Sequence, residues 1–265
     1  PGLLGPVAAS NNWVLRPELT RHGAVILAND THLLLTQPAL WMMIEMALPE
    51  RTVAGVALAG VPLVMAGTNR DVAWGMTMVM ADTQDLFLER LLFEDGQWLY
   101  ETPQGWEPTA TREEQFRIRG AKAVNLVLQA TRHGPLLNDA LTHPSRDLLQ
   151  PYPVQSEYGL ALATTLNGGD ASFDALWSLN RAANLDAAID AGMGLELAAL
   201  NLLIADPQHI AWLITGRFPV RHGASGHFPV PGWSGDYDWQ GFVEPQQRPL
   251  LIDPDNAFFA TANQR

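Results

Sequence analysis

The sequence has no cysteine among its 265 residues. That excludes disulfides, thiolate metal sites and a cysteine nucleophile. It suits an oxidising periplasm as well as any other compartment. Basic residues are scarce, with 16 Lys and Arg against 28 Asp and Glu, a formal net charge of −12. A phosphate-binding surface needs clustered Lys and Arg, so the balance argues against nucleic acid as a partner. Apolar runs fall far short of a membrane span. A Gly-x-Ser-x-Gly elbow, a His-Glu-x-x-His pair and a Gly-rich phosphate loop are also missing. The common serine-hydrolase, zinc-protease and nucleotide-binding readings therefore have no support. The chain opens on Pro1 with no visible signal peptide, and the expectation is an interior piece of a longer product.

What is present is enough apolar content, 47%, for a real core. Residues 1–9 are small, apolar and turn-rich, either a flexible lead-in or the end of a removable segment. From Ser10 the texture is β. Apolar runs at 13–15 and 24–27, with Arg21-His22-Gly23 between them, predict a hairpin that holds Ser10 at a sheet end. Residues 39–48 read as a helix or an irregular apolar segment whose methionines belong to the core. Further strands are expected over 53–66, 72–77, 85–91, 97–106, 114–119 and 123–131. Residues 172–199 then carry Ala and Leu at helical spacing, with Asp170 or Ser172 as N-cap and a second helix beginning near Asn184. Strands resume at 201–205, 210–214 and 258–261. Strands, a helical block and strands again predict an α+β sandwich without a visible linker.

Ser10 lies in Ala9-Ser10-Asn11-Asn12-Trp13, where a serine is ordinarily a turn residue. A serine hydroxyl is a poor nucleophile until a base takes its proton. A serine at a chain terminus has its own base, a free α-amino group with a pKa of about 8. That route requires cleavage of Ala9–Ser10, because an amide nitrogen has no basicity. Asp82 and Asp85, with Gln84 between them, are either solvated loop acids or hard oxygen ligands for Ca²⁺. His32 on its own is a structural histidine, and the other six histidines have no zinc-ligand spacing.

In chain order, Ser10-Asn11-Asn12-Trp13, Asn29-Asp30-Thr31-His32, Trp74-Gly75-Met76-Thr77, Asp82-Thr83-Gln84-Asp85 and Ala260-Thr261-Ala262-Asn263 resemble the penicillin acylase family of N-terminal-nucleophile amidohydrolases. The resemblance runs from Ser10 nearly to the end. It implies an α+β fold of four αββα layers, two stacked antiparallel sheets covered by helices, present here in part. It divides the chain into a spacer remnant, residues 1–9, and the first part of a β chain, residues 10–265. It implies a periplasmic or secreted zymogen that exposes Ser10 by autoproteolysis and then hydrolyses a linear amide, such as the side chain of a β-lactam antibiotic, through an acyl-enzyme. An acyl-homoserine lactone acylase is the alternative enzyme, and a binding domain that never matures is the alternative of another class.

By the same resemblance Asn263 and the Val79 N–H hold the oxyanion, and His32 touches the serine's amino group. Histidine there tilts substrate choice away from penicillin G. Leu33, Ala66, Met76 and Met80 line the acyl pocket; Leu33 and Ala66 stand where phenylacetyl-specific members carry phenylalanine, which favours flexible acyl chains. Asp82, Gln84, Asp85 and Pro219 supply part of a structural Ca²⁺ site. The implied partners are a small-molecule amide and the preceding α chain and remainder of the β chain of one precursor, so apolar surface and self-association are expected.

Overall fold

The computed structural model describes residues 9–33, 36–138 and 158–264. They gather into two compact units. The first takes the stretch up to Ala81, Gly169–Arg217 and the stretch from Val243; the second takes Asp82–Gly168 and Phe218–Phe242.

In the first unit a three-stranded antiparallel sheet runs in the order Phe258–Thr261, Ala9–Leu15, Ile26–His32. A seven-stranded sheet runs Leu250–Ile252, Ile210–Ile214, Leu200–Ala205, Ala73–Met78, Ala66–Thr68, Thr52–Leu58, Trp41–Ala47. Period-two alternation lets this larger sheet be buried on both faces. Leu202 and Ile204 face the helices Ser172–Asn180 and Leu185–Met193, in one core with Trp74, Leu179 and Leu213. Leu203 and Ala205 face the other way and pack with Val14, Leu27 and Phe259 of the small sheet. The layers are therefore helix, sheet, sheet. Gly75 permits the close stacking of the sheets, because a Cβ there would lie 3.0 Å from Asn29 Cβ and 3.1 Å from Leu27 Cδ2.

The predicted hairpin forms with Ser10 opposite Thr31, and the last strand arrives as expected beside Ala9–Leu15. The helix or irregular segment expected over 39–48 is instead the edge strand Trp41–Ala47, paired residue for residue with Thr52–Leu58, and Met42 and Met43 are exposed rather than in the core. An apolar run has no period of its own to choose between the two states, and the neighbouring strand decides. The helical block divides where expected. Asn184 caps the second helix, its Oδ1 accepting from Ala187 N at 2.9 Å. Ala171 is the N-cap of the first helix. Asp170 instead accepts from Ser172 N at 2.7 Å, and Ser172 Oγ accepts from Glu196 N and Leu197 N.

The second unit is built on the long strand Gln84–Glu94, between Tyr158–Thr164 and Gln97–Thr102, with Gly105–Pro108 beyond the latter and Val230–Pro231 parallel to the long strand. Ala110–Phe116 and Val124–Thr131 form a separate hairpin. Among the described residues no helix is long and apolar enough to cross a membrane.

Candidate active site

Ser10 is the second residue of its strand and is 8% exposed. Along Ala9–Leu15 exposure alternates, so Ser10, Asn12 and Val14 point together into the sheet interface. Ala9 continues the strand opposite His32, so the Ser10 nitrogen is an amide in this chain. On the other side Asn12 faces Thr261. The paired register ends at Thr261, two residues before Asn263. Asn263 has a φ of 58°, in the left-handed region that asparagine tolerates.

His32 is placed by the pairing with Ala9–Leu15. It lies opposite Ala9, so its ring projects on the face away from the Ser10 hydroxyl. It is half-exposed and its Nε2 sits 2.8 Å from Asp30 Oδ2. Its main chain runs beside Ser10; its side chain does not.

The Val79 N–H already has a backbone partner. It donates to Ala199 O at 3.0 Å and extends the ladder between Ala73–Met78 and Leu200–Ala205. In antiparallel pairs alternate residues bond to the same neighbour, so the even-numbered residues here turn their N–H groups to the opposite side. Met76 shows this, donating to Asn29 Oδ1 at 2.9 Å while its carbonyl accepts from Asn29 Nδ2 at 3.0 Å. Met78 points its N–H to that same side, and Met78 rather than Val79 is the backbone donor that faces away from the ladder. Asn29 also donates to Asn11 O at 3.2 Å, so this side chain ties the Ser10 strand to the strand Ala73–Met78 at Met76. The sequence marks it as part of the Asn29-Asp30-Thr31-His32 motif without giving it a role of its own.

A cavity of about 270 Å³ lies on the helix-facing side of the large sheet, walled by Leu58, Met65, Met76, Leu176, Leu197 and Leu200 among others. The lining includes Met76 but not Ser10, Leu33, Ala66 or Met80. Asp170 sits at its rim. Hydrogen bonds from the Ser172 hydroxyl, and then from its N–H, hold the Asp170 carboxyl below the usual carboxylate range.

In the second unit Asp82 and Asp85 converge. Asp85 Oδ2 accepts from Arg221 Nε at 2.8 Å and from Trp239 Nε1. Arg221 Nη2 reaches Asp82 O at 3.0 Å. Asp85 Oδ1 is buried without a hydrogen-bond partner. A methyl group built on Gly226 would come 2.4 Å from Asp82 Oδ2 and 2.7 Å from Asp85 Oδ1, so the two oxygens flank one small space. An orphaned buried carboxylate oxygen beside a second carboxylate fits a hard cation. Gln84 and Pro219 are fixed by strand pairing, opposite Thr164 and Phe242, and no third acidic or histidine ligand joins the pair among the described residues.

With this geometry in hand the comparisons are consistent. The penicillin amidase family model matches residues 3–265, and the chain belongs to that family. It is 43% identical over 259 residues to acyl-homoserine lactone acylase QuiP of Pseudomonas aeruginosa, covering 98% of this chain and 30% of that protein. It is 32% identical over 259 residues to penicillin acylase 2 proenzyme of Pseudomonas sp. strain SE83, covering 97% of this chain and 32% of that one. Among solved structures it resembles thermostable penicillin G acylase from Alcaligenes faecalis, with a TM-score of 0.80 at 22% identity over 95% of this chain and 43% of the other. The fold is thus part of the αββα sandwich of N-terminal-nucleophile hydrolases, contributing helix, sheet and sheet layers. The chain spans about 30% of the length of the curated acyl-homoserine lactone acylase it matches.

Proposed function

We propose that this chain carries the nucleophile of a bacterial acylase, periplasmic or secreted, that hydrolyses the linear amide of an N-acyl-homoserine lactone in preference to penicillin G. The observation that carries the reading is Ser10, buried opposite Thr31 on a strand whose other neighbour ends at Thr261, two residues before Asn263. Maturation cuts Ala9–Ser10 and frees the Ser10 amine. That amine takes the hydroxyl proton while Oγ attacks the amide carbon. Asn263 and the Met78 N–H stabilise the oxyanion. The proton passes to the leaving amine, and an ester to Ser10 remains. Water then attacks this ester, giving a proton to the Ser10 amine, and the carboxylic acid leaves as Oγ recovers its hydrogen.

Leu33 and Ala66, where phenylacetyl-specific members carry phenylalanine, favour a flexible acyl chain over a phenylacetyl ring, since each methylene placed in an apolar wall contributes about 1–3 kcal/mol. The naming of the 43%-identical relative supports the same choice. The test is a series of N-acyl-homoserine lactones of increasing chain length, against penicillin G, on the full-length protein. A rise in kcat/KM with acyl length, abolished by Ser10→Ala, is expected. Preference for phenylacetyl over every aliphatic chain would sink the substrate assignment.

Asp82 and Asp85 are the residues that would hold a structural Ca²⁺, which would supply charge and cross-linking with no part in the chemistry. Saturating Ca²⁺ should raise the thermal midpoint of the full-length protein, EDTA should reverse this, and Asp85→Asn should remove the response. Identical midpoints with calcium and with EDTA would count against the site.

A further inference from the structure

A string of buried side chains crosses the interface between the two sheets of the first unit and has one direction. Trp212 Nε1–H can only donate, and it donates to Asn201 Oδ1 at 3.0 Å. This fixes the Asn201 amide, whose Nδ2 donates to Thr77 Oγ1 at 3.2 Å. Thr77 and Thr261 hydroxyls lie 2.6 Å apart, and Thr261 Oγ1 donates its one proton to Asn12 Oδ1. Thr77 is therefore the donor to Thr261. Asn201, Thr77, Thr261 and Asn12 are each 5% exposed or less. The string is embedded in an apolar interface of Val14, Leu203 and Ile210.

Three of its members stand next to proposed site groups. Asn12 is two residues from Ser10 on the same face, Thr261 two residues from Asn263, and Thr77 adjacent to Met78. The apolar pattern opposes a one-residue slip, which would turn each group to the wrong face, but a two-residue slip keeps the faces and moves each group along its strand. The donor-to-acceptor string from Trp212 to Asn12 Oδ1 closes only in the observed register, with Asn12 Nδ2 left buried without a partner.

We propose that Asn201, Thr77, Thr261 and Asn12 are positioning residues for the acyl-transfer site, holding the nucleophile strand, the Asn263 strand and the Met78 strand in mutual register. This rests on the acylase reading above. Misplacing reacting groups by about 1 Å costs on the order of 100-fold in rate.

The test uses full-length protein carrying Thr77→Val, Thr261→Val or Thr77→Ser, measured for kcat, KM and thermal midpoint on a long-chain N-acyl-homoserine lactone. Each valine variant is expected to lose about 100-fold in kcat with KM nearly unchanged, and Thr77→Ser to recover most of it. A merely structural role would lower the midpoint and yield and leave the kcat of the folded enzyme alone. Folded valine variants with wild-type kcat overturn the proposal. If the valine variants do not fold, Trp212→Phe decides. It removes the donor that sets the direction, and a loss of kcat of several-fold is expected, whereas an unchanged kcat overturns the proposal. Wild-type protein without Ser10-dependent turnover on any amide overturns the acylase reading itself, and the positioning role with it, which separates the two failures.

Discussion

Asn263 illustrates how far single residues can be read. The order of short motifs points to Ser10 and Asn263, and the strand that carries Ser10 pairs with the strand that ends two residues before Asn263. Replacing Asn263 with alanine removes a side-chain donor to the oxyanion and is expected to lower kcat by about 10²–10³-fold with little change in KM. A change in KM alone, measured on the mature enzyme, would show that Asn263 binds substrate equally in ground and transition states. The backbone donor was not legible. Val79 and Met78 differ by one position, any side chain serves, and only the ladder bond from Val79 to Ala199 reveals which N–H is committed. The same parity explains His32, whose ring the register places on the face away from Ser10.

Among the elements, those with a clear period or cap are legible in the sequence: the Ser10 hairpin, the Asn184-capped helix and the strands at 201–205 and 210–214. The strand Trp41–Ala47 was not, because its identity comes from pairing with Thr52–Leu58 rather than from its own pattern. Close approach is equally hidden. Gly55 and Gly67 face each other across two strands, and a Cβ on either would lie 2.1 Å from a carbonyl oxygen. One connection between elements carries a pH dependence. The His209 ring is hydrogen-bonded to Asp253, which also accepts from Ile210 N at 3.0 Å. The bond to Asp253 raises the His209 pKa. Burial works to raise the Asp253 carboxyl, but the Ile210 N–H and His209 outweigh it and the net shift is downward.

The His209 contribution is fully present below its unfolded pKa of about 6.5 and is lost as pH rises through the higher folded value. The Asp253 contribution is present above about 3.9 and is lost as pH falls through the lower folded value. His209→Asn should therefore lower the urea midpoint most near pH 5 and least near pH 9, both approximate bounds of that window. A difference that stays constant across this range would remove the ion pair from the account.

For the whole molecule, the division into two units was not legible, because the chain passes from one to the other inside continuous segments and not at a linker. Gly168-Gly169 marks one such passage but reads equally well as the turn before a helix. The hairpin of the second unit leaves Phe116, Val124, Leu126, Val127 and Leu128 exposed. An exposed apolar surface of this kind is a candidate interaction surface.

The central claim is that Ser10 becomes an N-terminal nucleophile, and it is tested most directly by the intact mass and N-terminal sequence of purified, active full-length protein. The account predicts a chain that begins at Ser10, with cleavage lost in Ser10→Ala. An active preparation in which Ala9 and Ser10 are still joined would contradict it.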